Sequence, residues 1–207
     1  MKNLWLSSSL LLLTTLACST TKYKRWTETS TGESTFQSYF NGSQPAARYK
    51  AEVSIYGKHL SGILFFKFTN DSTCHVAFVT VPGAKLFDLQ LTPRTDTVYE
   101  CLPQLNRPGV LKTIKNDIRT FVMLDNYDGN MLRMEDKYFK GVIWRKTTPD
   151  HIYHYYQPSG EPITRVEQLT KNFKKKVELT ATDFRGSLPA QVHILGKFSL
   201  SIHLTLL

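Results

Sequence analysis

The chain has 207 residues, 41% of them hydrophobic, and a formal charge of +9. That length suits one domain with a substantial core and leaves little room for two. Beyond the amino terminus no apolar run approaches membrane-spanning length, which excludes a bundle of transmembrane helices. The positive residues are spread out, with local excess at Lys22 to Arg25 and Lys171 to Lys176. They suit anionic headgroups or acidic partners, or form a solvated basic surface.

The first element is a leader. Lys2 is its positive charge, and Leu4 to Leu16 is an apolar stretch of secretory-signal length, too short to span a bilayer. It closes on Thr15-Leu16-Ala17-Cys18. A small residue directly before cysteine at this place resembles the bacterial lipobox, with Thr15 where Leu is usual. The resemblance implies that residues 1–17 are a signal peptide and that Cys18 is acylated after cleavage. A single acyl chain holds a protein to a membrane marginally, whereas two or more hold it durably. Bacterial lipoproteins carry three, so a membrane is the first expected partner. Ser19 rather than Asp follows Cys18, and no acidic run comes after it. By the same resemblance this directs the protein to the periplasmic face of the outer membrane. Ordinary secretion and a short membrane anchor remain open as alternatives. Nucleic acid is a poor partner for a secreted lipoprotein.

Residues 18–46 read as a tether followed by a short helix. Ser19 to Pro45 is rich in Ser, Thr, Gly and Asn, the composition of a flexible linker. Glu33 to Phe40 has weak helical character, ending at Asn41-Gly42, with Phe36, Tyr39 and Phe40 turned to the core. The folded domain is expected over residues 47–207. Tyr49 to Tyr56 alternates, placing Ala51, Val53 and Ile55 on one face, and Gly57-Lys58 is a turn. Ile63 to Phe68 is apolar at nearly every position, which predicts a strand covered on both faces. Asn70 to Ser72 turns into a strand from Cys74 to Val81. Pro82-Gly83 is a turn with a mechanism, since Pro fixes φ and Gly permits positive φ. Leu86 to Leu91, a turn at Pro93 to Asp96, and Thr97 to Cys101 complete an antiparallel meander.

The period then changes to helical. Val110, Leu111, Ile114, Ile118, Phe121 and Val122 share one side, and Lys112, Lys115, Asn116 and Arg119 the other. Asn106 is the expected cap and Pro108 sits in the first turn. This helix should end before Asp128-Gly129. Strands are then predicted over Met131 to Lys137, Phe139 to Lys146 and His151 to Gln157. A hairpin turn at Pro158 to Pro162 leads to Ile163 to Gln168. Lys174 to Thr182, a loop from Asp183 to Pro189, Ala190 to Leu195 and Phe198 to Leu206 close the domain. Cys74 and Cys101 fall on strands with one strand between them. Next-but-one strands lie about 10 Å apart, so two unpaired thiols are expected.

The sequence assembles no catalytic site, and the chain reads as a binding protein with no cofactor. His151 and His154, three apart on a strand, point to opposite faces and make a poor metal pair. There is no nucleophile elbow, no H-E-x-x-H, no C-x-x-C and no phosphate-binding glycine loop. Asp117 and Asp125 read as solvated or paired with Arg119. Asp88 faces solvent or pairs with a base. An enzyme would need a polar cluster inside the concave face, which the sequence does not show.

Five local patterns carry a family resemblance. They are Tyr49-Lys50-Ala51-Glu52-Val53, the run Leu60 to Lys67, the strand–turn–strand around Pro82-Gly83, the helix from Pro108, and the closing segments Leu188 to Ile194 and Leu200 to Leu204. In this order, over about Tyr49 to Leu207, the chain resembles the LolA/LolB lipoprotein-carrier superfamily. The resemblance implies a mainly β, α+β fold: an incomplete antiparallel β-barrel, or strongly curved sheet, with a helix lid over an apolar cavity. Its own lipid makes the chain more like the membrane-anchored receptor LolB than the soluble carrier LolA. A lipoprotein or lipid ligand and a carrier protein are the implied partners. LolB-like receptors project a bulky apolar residue, usually Leu, from the loop beside the Pro-Gly turn to deliver cargo. Here Val81, Pro82 and Gly83 occupy that loop, and Val81 is the one candidate for the insertion. The cavity-lining candidates are Phe65, Phe66, Phe68, Phe78, Phe87, Ile114, Ile118, Phe121 and Trp144. The concave face they line is either packed by its own side chains or open to acyl chains. The rival reading is a structural or accessory lipoprotein that docks a protein complex and has no ligand cavity.

Overall fold

The computed structural model describes residues 23, 26–29, 35–40, 46–70, 72–126, 130–197 and 200–207. Cys18, its leader, Asn41-Gly42, Asp71, Asp128-Gly129 and Phe198-Ser199 lie outside them, so the expected lipid site and parts of four expected turns and strands are not described.

Among the described residues, thirteen strands and one α-helix follow in chain order. They are β1 (Thr27–Glu28), β2 (Ala46–Ile55), β3 (Lys58–Asn70), β4 (Thr73–Val79), β5 (Lys85–Leu91), β6 (Asp96–Cys101), helix α1 (Pro108–Val122), β7 (Leu132–Glu135), β8 (Gly141–Thr147), β9 (Ile152–Pro158), β10 (Arg165–Leu169), β11 (Lys175–Arg185), β12 (Leu188–Leu195) and β13 (Ser201–Leu206). All belong to one sheet in the order β1-β7-β8-β9-β10-β11-β12-β13-β2-β3-β4-β5-β6. Two antiparallel meanders, β2 to β6 and β7 to β13, are joined where β13 pairs with β2. The end strands β1 and β6 do not pair with each other, so the barrel is incomplete. The helix lies in the connection between the meanders.

The alternation in β2 holds: Ala47, Tyr49, Ala51, Val53 and Ile55 are buried and their neighbours are not. The hairpin after it turns on Tyr56 and Gly57, one residue earlier than expected. Both have positive φ, as a two-residue turn between twisted strands requires. Strand β3 departs from expectation. Leu64 and Phe66 are buried, but Phe65 on the other face is 37% exposed and Ile63 is only half-buried. The strands covered on both faces are β9, where Ile152 to Tyr156 are all buried, and its neighbour β10, where Val166 to Leu169 are. The inner Tyr153 and Tyr155 of β9 join the main core, whereas its outer Tyr156 packs in a separate small cluster with Trp26, Met134 and Ile143.

That outer cluster shortens the expected tether. Tyr23 and Trp26 lie against the outer face of β9 and β10, and Thr27 and Glu28 pair with β7. Residues 35–40 form no helix, yet Tyr39 and Phe40 are buried and Phe36 packs against the core, edge-on to Trp144 and Tyr155, as expected. The Tyr39 hydroxyl donates to the Ile163 carbonyl and Ser187 donates to the Tyr39 carbonyl, so hydrogen bonds to the sheet fix this segment without helical ones.

Helix α1 begins on Arg107, not Asn106, and no side chain caps it. Asn106 is held one residue too early by a backbone bond to Leu102, and Pro108 at the first turn has no N–H to satisfy. The helix ends at Met123 in the left-handed conformation, whose N–H donates to the Arg119 carbonyl. A short 3₁₀ turn, Leu124–Asn126, follows. The loop expected from Asp183 to Pro189 is instead a tight hairpin. Phe184 pairs with Pro189 and Arg185 with Leu188, around a Gly186 with positive φ. Cys74 on β4 and Cys101 on β6 are free thiols with β5 between them.

Candidate functional site

Three places in the fold bear on function: the concave interior, a polar chain that crosses it, and the exposed loop after β4. The interior is built by period-2 strands facing one period-3.6 helix. Leu111, Ile114, Ile118 and Phe121 of α1 share a single apolar core with the inner faces of β2 to β5 and β9 to β13. Phe121 is its centre. Its ring lies 5.2 Å from Phe66, 5.4 Å from Tyr49 and 5.6 Å from Phe40, in edge-on arrangements that suit the aromatic quadrupole. Of the expected lining residues, Phe66, Phe78, Phe87, Ile114, Ile118, Phe121 and Trp144 are brought together there. Phe68 packs partly buried at the margin. Phe65 is not among them, because alternation along β3 turns it to the other face.

The polar chain is a finding that the sequence reading missed. Asp96 receives Lys115 at 3.0 Å and also Arg119. Arg119 reaches Asp125 at 3.2 Å, and the Tyr153 hydroxyl donates to the other oxygen of Asp125 at 2.6 Å. Gln168 donates to Tyr153 at 2.9 Å and exchanges two amide bonds with Asn116, at 2.8 and 2.9 Å. Asn116 closes the chain on Asp117. Five elements, β6, α1, the 3₁₀ turn, β9 and β10, therefore meet through ion pairs and hydrogen bonds in a largely buried setting, where satisfied networks rigidify a fold. For Asp125, pairing with Arg119 is one of the two options its sequence left open; the burial of Asp117 is neither of them. Asp117 is 0% exposed, and one of its oxygens has no hydrogen-bond partner. Burial pushes its carboxyl up to about 7, against the smaller opposite pull of the Asn116 amide. A signal for it was present: position 117 falls on the 114–118–121 stripe, so an acid there had to be buried or break the stripe.

Most of these groups, Gln168 excepted, line a cleft of about 1180 Å³ between α1 and the strands β8, β9 and β11. Lys112, Lys176 and Lys197 stand around it on α1, β11 and the turn after β12. His151 is at its rim, with Nδ1 3.5 Å from the Lys176 ammonium. Burial and then Lys176 hold the His151 imidazole below its usual range. His154 is on the opposite face, beneath Tyr23 and Trp26, with Arg145 Nε donating to it at 3.1 Å. The two histidines do not converge.

The β4–β5 loop carries Val81 at 83% exposure, followed by Pro82 and by Gly83 with positive φ. Its base is tied by Thr80, whose hydroxyl bonds both the N–H and the carbonyl of Ala84. Asp88 of β5 pairs with His75 and Lys85, each at 2.8 Å, the second of the two options its sequence left open.

No family model matches the sequence, and no curated protein matches it. In structure the chain is similar to a LolA superfamily protein from Nitrosomonas europaea, with a TM-score of 0.50 and 8% identity, over 78% of this chain and 83% of that one. Two further crystal structures are more distant. A domain described as an outer membrane lipoprotein-sorting protein from Vibrio parahaemolyticus gives a TM-score of 0.47 and 10% identity, over 78% of this chain and 82% of that one. A DUF1329 family protein from Desulfovibrio piger gives 0.43 and 9%, over 79% and 84%. By its likeness to the first of these, the incomplete barrel with α1 on its inner face is a LolA-like fold.

Proposed function

We propose that this is a lipid-anchored protein of the outer membrane, facing the periplasm, that binds an acyl-bearing ligand between α1 and the concave face of the sheet. The ligand is a lipoprotein or a lipid, and binding involves no covalent chemistry. The observation that carries the reading is the continuous apolar surface shared by α1 and the inner sheet, with Phe121 at its centre. A ligand chain that displaces α1 gains the same aromatic surroundings that Phe121 now occupies, so the cost of opening is offset by like contacts. The LolA-like fold and the lipobox-like start support it. Val81, the most exposed large hydrophobic residue among those described, is the proposed membrane-contacting residue of the β4–β5 loop.

Native mass spectrometry tests the ligand. The wild-type protein should carry or take up one fatty-acyl probe, and Phe121→Ala, which vacates the centre, should take up more. A protein that takes up none in either form overturns the reading. The anchor is tested separately, by the mass of the amino-terminal peptide and by release of Cys18→Ser from membranes.

The filled state of the interior favours a second reading, a structural lipoprotein that docks a protein complex. Recovery of a stoichiometric partner without lipid would establish it.

A further inference from the structure

The basic cleft beside α1 is unexplained by an acyl site. Seven lysines and arginines line it against four aspartates, an excess of three positive charges. The aspartates do not offset the lysines evenly. Asp96 and Asp125 are engaged by Lys115 and Arg119. Asp117 is buried beneath the rim with its carboxyl near neutral. Asp150 is the remaining one. Among the described residues, Lys112, Lys176 and Lys197 have no ion-pair partner.

These three lysines come from elements far apart in sequence, and each holds a flexible ammonium over the same space. They are close enough to oppose one another. The Lys176 ammonium is held below its usual range by burial first, then by Lys197 and Lys112, with Asp150 opposing. Gathering like charges is unfavourable unless a counter-charge relieves it. The cleft is concave and of small-molecule size, which does not suit a duplex or a flat protein surface. Around the lysines, Asn116, Thr147 and Thr148 add polar groups to the lining. Converging point charges with several freely turning N–H donors match an oxyanion with several acceptor oxygens.

We propose that the cleft bounded by Lys112, Lys176 and Lys197 binds a phosphate group, carried either by a lipid headgroup or by a soluble phosphate ester. The site stands whether or not acyl chains enter beneath α1. Leu111 and Val177 line the cleft and also belong to the apolar core, so a phosphate held there has an apolar wall beside it.

Titration calorimetry on the full chain in detergent tests this with three probes: glycerol 3-phosphate, dihexanoyl phosphatidic acid below its micellar concentration, and uncharged dihexanoylglycerol. Saturable binding of both phosphates marks a general phosphate site. Binding of phosphatidic acid alone marks a headgroup site. In either case the triple variant Lys112→Ala/Lys176→Ala/Lys197→Ala should weaken binding at least tenfold, and raised salt should weaken the wild type. The matching triple Lys→Arg variant keeps the charges and should retain binding, which separates loss of site from loss of fold. The proposal is overturned if neither phosphate binds, or if the triple alanine variant binds them undiminished. Equal affinity for dihexanoylglycerol and phosphatidic acid also overturns it, while leaving the acyl reading intact.

Discussion

Asp117 and Gly196 are fitted to each other. The carboxyl of the helix residue fills the space where a side chain on Gly196 would begin, and a Cβ there would collide with its Oδ2. Gly196 opens the turn between β12 and β13, its N–H donating to the Leu200 carbonyl. The helix is thus seated against the sheet at a point where neither residue tolerates enlargement.

Gly196→Ala should therefore lower stability by about 1–3 kcal/mol, the usual cost of overpacking a fitted site. Asp117→Ala in the same chain should recover part of the loss, and a double-mutant cycle by chemical denaturation measures that coupling. Simple additivity of the two changes would refute the fit.

The raised carboxyl of Asp117 makes stability depend on pH. Its folded value, about 7, lies above the ordinary carboxylate range, so the folded state holds a proton that the unfolded state has released. The contribution of this residue is therefore greatest at acid pH, falls as pH rises through the interval up to about 7, and is a constant penalty above it. Asp117→Asn keeps the shape and removes the charge. Relative to wild type it should be more stable at pH 8, on the order of a few kcal/mol, and the difference should shrink toward pH 4. Thermal melts across that range check the sign.

Phe121→Ala should cost about 3–5 kcal/mol, because it empties the centre of a ring cluster built from Phe40, Tyr49 and Phe66. The same variant is the one expected to gain acyl uptake, so stability and binding should move in opposite directions.

The two thiols should behave differently. Burial pushes the Cys74 thiol up to about 12, whereas Cys101 is only half-buried and less strongly raised. A short pulse of N-ethylmaleimide on native protein, read by peptide mapping, should mark the Cys101 peptide and spare that of Cys74.

The outer cluster yields one more prediction. Glu167 is buried and accepts hydroxyl bonds from Tyr23 at 3.2 Å and Tyr156 at 2.5 Å. Tyr156→Phe removes one donor from a buried carboxylate and should destabilise the protein by about 1–3 kcal/mol. Tyr23→Phe, on the more exposed partner, should cost less.

What could be read from the sequence was what depends on neighbours along the chain. The alternation of β2, the Pro82-Gly83 turn and the stripe of α1 follow from local period and turn chemistry, and they sufficed for a curved antiparallel sheet with a helix. The covered face of a strand is decided by what packs on it. Ile63 to Phe68 is apolar yet leaves Phe65 half out, while Ile152 to Tyr156, with its histidine and tyrosines, is covered on both sides by Tyr23, Trp26 and the core. Those covering residues lie more than a hundred positions away. The three cleft lysines without an ion-pair partner, Lys112, Lys176 and Lys197, are equally non-local, one each from α1, β11 and the β12–β13 turn. Asp117 reads in sequence as solvated or paired with Arg119, and its burial follows from the turn that receives it, which local pattern does not disclose.

The docking of Tyr23 on the outer face of β9 and β10 has a mechanical consequence. If Cys18 carries the lipid, it lies five residue steps from Tyr23, a fixed point on the sheet, a reach of no more than about 18 Å when fully drawn out. A body held on so short a leash cannot patrol the space between two membranes. So anchored, it would stay moored at one of them, with one flank kept toward the bilayer.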